Sequence, residues 1–234
     1  MVNYNDLPLF PLHVVLYPDM PLPLHIFEPR YREMLARCRA NHSPFGIVLI
    51  KTGDEIGDNP VPFSIGTLAR VTQCEELSDG RLNVVVVGEH RFTIEKLNSS
   101  LPYLTASVKP FHEDGADPSD LRSPHLTVVA LFKRYLKNLF ASTNRSMSAL
   151  QLPQEPEYLS YAVASVLQIP LSEKQELLEM RSTQERLQRE ISLLKREIES
   201  QSNSDDKFTP PNSSEKSTIV PVNTKELSKL SSNN

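Results

Sequence analysis

The chain has 234 residues, of which 39% are hydrophobic and 23% charged, and its formal net charge is -4. That length allows one or two domains with a real core, and the acidic balance gives no whole-chain electrostatic case for nucleic acid. No apolar run approaches the roughly 20 residues of a bilayer-spanning helix, residues 1–6 lack the basic start and apolar core of a leader, and Cys38 and Cys74 offer no disulfide framework, so a reducing cytoplasm is expected.

Nineteen prolines against seven glycines mean that bends are set by proline, Asn and Asp more than by glycine. The first thirty-five residues show this best. Leu7-Pro8-Leu9-Phe10-Pro11-Leu12, Val14-Val15-Leu16-Tyr17-Pro18 and Pro21-Leu22-Pro23-Leu24-His25-Ile26-Phe27 are short apolar runs cut by proline. Proline cannot donate to a ladder, so these read as clipped strands joined by tight bends. Glu28-Pro29 then opens a helix over 28–41, because proline suits a first turn whose N–H is unpaired anyway. Tyr31, Met34, Leu35 and Cys38 form its apolar face, with Arg30, Arg32, Glu33, Arg37 and Arg39 on the rest.

Residues 45–50 are an apolar run of strand length, and 51–62 read as a polar surface loop. Strands are predicted over 65–74, over 81–87 after the Asp79-Gly80 hairpin signal, and over 91–97 after a turn at Gly88-Glu89-His90. Another follows over 103–111, and a polar loop runs to Pro124. Short strands at this spacing suggest a small antiparallel barrel or sandwich. Helices are predicted over 125–140 and, apolar on most sides and therefore buried, over 157–169.

The last helical stretch starts at Pro170-Leu171-Ser172. Leu177, Met180, Gln184, Leu187, Ile191, Leu194 and Ile198 then step by three and four, a heptad seam of the coiled-coil kind with one polar member. Ser182 with Glu185 forms a capping box, so a short helix, a break and a longer helix over 183–201 reads equally well. Leu187, Ile191, Leu194 and Ile198 are candidates for docking on a partner helix, for self-association, or for packing on the preceding helices. From Ser202 the sequence is rich in Ser, Asn, Lys and Pro, and it reads as a disordered tail over 202–234.

No motif of chemistry stands out. The six histidines are scattered without HxxxH or HExxH spacing, no GxxxxGK[ST] phosphate loop occurs, and no nucleophile elbow is present. No catalytic residue, cofactor or metal is expected. The candidates for binding a polypeptide are Phe10 and Phe27, which could line an apolar groove, and Arg30 and Arg37, which could dock an acidic or extended partner. For each, strand core or a solvated helix face is the plainer role. Phe27, just before the helix start, is expected to anchor that helix to the barrel.

The sequence resembles the substrate-binding N-terminal domain of Lon, the ATP-dependent protease La, over about residues 7–199. The likeness rests on Leu7-Pro8-Leu9-Phe10-Pro11-Leu12, Tyr17-Pro18 with Pro21-Leu22, Ile26-Phe27-Glu28-Pro29-Arg30-Tyr31, Ile65-Gly66-Thr67-Leu68-Ala69, and Val85-Val86-Val87-Gly88 with Arg91-Phe92. Lys174-Gln175-Glu176-Leu177-Leu178-Glu179 and Glu185-Arg186-Leu187 match its helical end. The resemblance implies an α+β fold: a small PUA-like β-barrel over 1–112, an α-helical bundle with a long C-terminal helix over 113–201, then the tail. It implies recognition of polypeptide substrates, exposed apolar or unfolded segments among them, or adaptation of clients to an ATP-dependent protease as part of protein quality control, with no membrane partner. Because Glu199-Ser200-Gln201 leads into the tail, ATP hydrolysis and proteolysis are not expected. The alternative function is that of a PUA-like RNA-binding protein, which would need a local basic patch.

Overall fold

A computed structural model of the chain describes residues 4–55, 60–140 and 151–204. Seven strands, β1 (Tyr4–Leu12), β2 (Pro21–Ile26), β3 (Phe45–Thr52), β4 (Val61–Pro62), β5 (Ile65–Glu76), β6 (Leu82–Asn98) and β7 (Thr105–Pro110), are joined with a helix α1 (Pro29–Ala40) between β2 and β3. Four helices follow: α2 (Pro118–Leu139), α3 (Pro156–Val166), α4 (Leu171–Glu179) and α5 (Thr183–Ser204).

The pairings close a ring. β1 lies beside β7, then β6, β5 and β3, and β3 returns to β1. Among the described strand pairings β1–β3 is the parallel one, with Leu9 opposite Gly46 and Leu12 opposite Leu49. A parallel pair needs a long crossover, and β2 with α1 supplies it. Closing the ring removes the two outer edges that these five strands would expose as an open sheet. Phe92 projects into the closed ring with Leu7, Leu9, Val48, Leu68, Ala106 and Val108, all buried. Gly66 makes room for it, since a Cβ there would stand 2.9 Å from the Phe92 ring and 2.5 Å from the Ile47 carbonyl.

The amphipathic reading of α1 holds residue for residue: Tyr31, Met34, Leu35 and Cys38 are its buried side chains. They pack on Phe10, Leu16, Ile26, Phe45, Val84 and Val86. Each fully buried Met or Leu of that face contributes about 1.5–3 kcal/mol relative to exposure.

Two sequence expectations are corrected. Gly88-Glu89-His90 is no turn; β6 runs unbroken for 17 residues. One edge pairs with β5, while the other takes β2 along residues 82–87 and β7 along 92–98. Gly88 instead serves a close approach. Its N–H donates to the Met20 carbonyl (3.1 Å), its carbonyl accepts from Asp19 N–H (2.9 Å), and a Cβ would collide with the Tyr17 carbonyl. The second correction is that α2 begins well before Pro124. Asp117 caps it, accepting from Ser119 N–H (2.8 Å), Pro118 takes the first position, and Pro124 lies inside the helix.

The break between the last two helices is present. Met180 ends α4, and Ser182 Oγ accepts from Glu185 N–H (3.2 Å) at the start of α5. Leu187, Leu194 and Ile198 are buried and Ile191 half-buried, all in one core with Val128, Phe132, Leu136, Leu159, Val163 and Leu167 of α2 and α3 and with Val15, Tyr17 and Leu49 from the barrel side. α5 extends through Ser204, three residues into the stretch read as tail; residues 205–234 lie outside the described ones.

Candidate functional site

The edge of β6 passes from β2 to β7 across residues 88–91, and nothing of the sheet covers it there. A cleft of about 680 Å³ opens at this point, between the barrel and α3. Its walls are Pro18 and Asp19 from the β1–β2 turn, Gly88 to Arg91 of β6, Lys109 to Glu113 at and beyond the end of β7, and Glu157, Tyr158 and Tyr161 of α3.

The floor is ionic, and its two arginines Arg91 and Arg186 are buried while Glu113 keeps partial access to solvent. Arg91 has a side chain 2% exposed. Its Nη1 donates to the carbonyls of Leu178 (2.7 Å) and Met180 (2.5 Å), and its Nη2 to Glu113. The Phe111 ring lies against its guanidinium at 4.7 Å, with Arg181 also over that ring at 4.4 Å. Arg186, 0% exposed, donates from Nη2 to Glu113 Oε1 (2.7 Å) and from Nη1 to the Met180 carbonyl (3.0 Å), with Tyr161 stacked on it at 4.4 Å. Tyr161 Oη donates to Glu113 Oε2 (3.1 Å), and the Thr183 hydroxyl donates to Oε1. One carboxylate thus serves two arginines and two hydroxyls, joining the barrel strand β6 to α3 and α5. Two buried guanidinium charges without such a partner would be strongly unfavourable.

The walls carry both signs. Burial holds the Asp19 carboxyl above its usual range, with His90 opposing. Burial also raises Glu157, and Glu113 adds to it. Tyr158, 44% exposed at the rim, is pushed up chiefly by Asp19. Burial raises the Tyr161 phenol and lowers Arg91, which nonetheless stays a cation as guanidinium groups do. Opposite stand Lys109, His112 and Arg70, the last paired with Glu89 at 2.5 Å. The arrangement offers hydrogen-bonding groups, an exposed phenol and apolar patches. It offers no nucleophile paired to a base, and among the described residues no group of three or more His, Cys, Asp or Glu could hold a metal ion.

The residues singled out from sequence lie elsewhere. Phe10 is buried, its ring 4.1 Å from Tyr31 and 6.4 Å from Phe45. Arg30 lies over the other side of the same neighbourhood, 4.7 Å from the Tyr31 centroid, donating to Glu28 (2.9 Å) and to the Glu55 carbonyl (3.0 Å). Arg37 is exposed farther along α1. Phe27 is no buried anchor: it is 48% exposed and stacks on His25 at 6.3 Å. The reason is parity. Ile26 points into the core, so its neighbour on an extended chain points out. The beginning of α1 gathers Phe10 and Arg30 around Tyr31, and neither Phe27 nor Arg37 joins them.

Among the described strands β2 pairs only with β6, so its other edge takes no strand of that set. The ladder to β6 needs N–H donors at alternate residues. Leu22, Leu24 and Ile26 can supply them, which leaves Pro21 and Pro23 on the outward phase. That edge lacks two of its three outward donors and is poorly suited to adding another strand.

Sequence reasoning missed Arg91, Glu113, Tyr161, Thr183 and Arg186. One signal was present: Thr183, Arg186, Glu190 and Leu193 step by three and four beside the apolar seam, and all four are buried. This stripe, given no role from sequence, is the second buried face of a helix packed against α2 and α3.

No described helix is long and apolar enough to cross a membrane. A family model described as the ATP-dependent protease La (LON) substrate-binding domain matches residues 6–196. The chain is 29% identical over 200 residues to the Lon protease of Brevibacillus choshinensis, a match covering 83% of this chain and 25% of that protein. The chain therefore spans about a quarter of the length of such relatives. Among solved structures, the Lon N-terminal domain protein from Xanthomonas campestris superposes with a TM-score of 0.60 at 24% identity, covering 81% of this chain and 98% of that one. The N-terminal domain of the Mycobacterium avium complex Lon protease gives 0.59 at 19% identity, covering 82% and 98%. These two likenesses establish the α+β fold, and the family match over 6–196 goes further: the chain belongs to the Lon substrate-binding domain family.

Proposed function

We propose that this protein is a non-catalytic recognition module that binds exposed apolar or unfolded polypeptide segments and presents them to an ATP-dependent protease. The observation that carries the reading is the family match, which is to a substrate-binding domain alone. The cleft between barrel and α3 supports it as the place of binding. It sets an exposed phenol and apolar surface beside polar groups of both signs, a mixture suited to backbone amides and varied side chains. A nucleic-acid track would instead be a continuous basic stripe, and Asp19, Glu89 and Glu157 interrupt any such stripe here.

Fluorescence anisotropy with a reduced, carboxymethylated α-lactalbumin probe tests the reading. The full chain is expected to bind the unfolded probe and ignore native α-lactalbumin. Tyr158→Ala is expected to weaken binding about tenfold, the scale of an interfacial tyrosine anchor, with unchanged thermal stability. Binding to a structured RNA but not to the unfolded probe would overturn the proposal. Tight binding undisturbed by Tyr158→Ala and lost with Phe27→Ala would move the site to the His25–Phe27 surface.

A further inference from the structure

Helix α5 holds a carboxyl group in a sealed position. Glu190 is 0% exposed, and neither of its carboxyl oxygens has a hydrogen-bond partner among the described residues. Ser160 Oγ of α3, which accepts from Arg186 Nε, lies close to it, and its hydroxyl proton is the one donor among the described residues placed to turn toward the carboxyl. An ionised carboxylate so placed would be fully desolvated with a single hydroxyl to serve it, so the neutral acid is favoured. Burial accordingly pushes this carboxyl well above the ordinary carboxylate range, with Arg186 and Ser160 opposing.

Arg186 is already committed. It donates to Glu113 (2.7 Å), to Thr183 Oγ1 (3.1 Å) and to the Met180 carbonyl (3.0 Å). Arg186 and Glu190 are also four residues apart on one helix, the spacing at which opposite charges pair. The guanidinium therefore pairs with one carboxylate, Glu113, and has a second one turn along its own helix, which becomes a competitor only when it loses its proton. We propose that Glu190 is a proton-operated latch: neutral, it leaves Arg186 clamped on Glu113; ionised, it draws Arg186 away and loosens the seat of α5 on the cleft floor.

The charged and titratable groups around the latch are Arg186 on α5, Tyr17 from the β1–β2 segment and Tyr161 on α3, with Glu113, Arg91 of β6 and Lys174 of α4 one contact farther out. Burial raises both phenols, so they stay neutral across ordinary pH. Burial lowers Lys174, whose Nζ donates to the Ser165 carbonyl (3.0 Å). Comparing variants that differ only at Glu190 removes the contribution of Lys174.

The sign of the effect is fixed. A folded-state carboxyl raised above its unfolded value keeps its proton where the unfolded chain has lost it. Stability from this group is full below the ordinary pKa of 4.5 and falls as pH rises toward the folded value. The unfolding equilibrium should shift by up to about tenfold per pH unit within that window.

Urea unfolding of the full chain and of Glu190→Gln, from about pH 5 to about pH 8, reads this directly, since glutamine keeps the shape and cannot ionise. The wild type is expected to lose stability relative to the variant as pH rises. A wild-type to variant ratio that stays flat would overturn the latch. Carbon-13 NMR of the Glu190 carboxyl in the wild type needs no variant to fold. A proton lost above the ordinary range, with the Arg186 Nε resonance moving at the same midpoint, supports the proposal. A carboxyl ionised throughout, neutral throughout, or titrating while Arg186 Nε stays fixed would overturn it. Neither measurement depends on what the cleft binds.

Discussion

The inside of the barrel and the seat on which the helices rest follow opposite chemical rules. Within the ring, Leu7, Leu9, Val48, Phe92, Ala106 and Val108 meet without a polar atom among their side chains. At the seat, Arg91, Glu113, Tyr161, Thr183 and Arg186 meet through hydrogen bonds and ion pairs. A backbone ladder already fixes how barrel strands lie, so its filling can be non-directional and tolerant of repacking. No ladder fixes how the helices sit on β6. The ionic knot supplies direction there, because Glu113 is satisfied only when β6, α3 and α5 are all in place. Such a knot does not have to stabilise more than an apolar replacement would; what it cannot survive is the loss of one member.

The sharpest way to break this contrast is therefore Glu113→Ala. It leaves Arg91 and Arg186 enclosed without their shared carboxylate, and removal of one partner of a buried pair costs about 3–5 kcal/mol. Urea unfolding should show that loss, and the variant should also expose the Tyr161 phenol to alkaline titration at lower pH than in the wild type. A loss below about 1 kcal/mol would mean that water or a neighbouring carboxylate takes over, and the seat would be no knot.

Leu194→Ala probes the apolar part of the same helix. Leu194 is 0% exposed within the core shared by α2, α3 and α5. Truncation should cost about 2–5 kcal/mol through lost transfer energy and the cavity left behind. Because the seam faces its own chain, sedimentation should give an unchanged mass. A smaller species with unchanged stability would instead place Leu187, Ile191, Leu194 and Ile198 in an interface between copies.

What the sequence made legible was whatever depends on neighbours along the chain. The face of α1, the Ser182 cap and the Asp79-Gly80 turn are local and came through. Gly88 was misread because a glycine in a strand has two meanings, turn or close approach, and only the distant Tyr17 carbonyl decides between them. The start of α2 was hidden by Pro124, a residue that usually ends a helix but here lies within one capped by Asp117. The cleft floor was illegible for a stronger reason. Residues 91, 113, 161, 183 and 186 come from four separate stretches, and no local spacing joins the first three to the last two. The stripe of Thr183, Arg186, Glu190 and Leu193 has the period of a buried face, but three of its four members are polar, which a buried face seldom carries.

Phe27 gives the smallest expected effect and bears on the other side of the comparison. A buried aromatic at the head of α1 would cost about 3–5 kcal/mol on truncation. The structure leaves Phe27 48% exposed, with His25 as its stacking partner and Ile26 taking the inward position. Phe27→Ala should then change stability by less than about 1 kcal/mol, the scale of surface substitutions, while Ile26→Ala, at 2% exposure, should cost about 2–5 kcal/mol. The adjacent pair forms its own control, since both substitutions fall at the end of β2, Ile26 as its last residue and Phe27 just beyond, and they face opposite sides of the chain. Equal losses would mean that Phe27 packs inward in solution and that the strand is shifted by one residue. That shift would exchange every inward and outward side chain of β2 at once, and it would put Pro21 and Pro23 on the phase that bonds β6, where they could not serve.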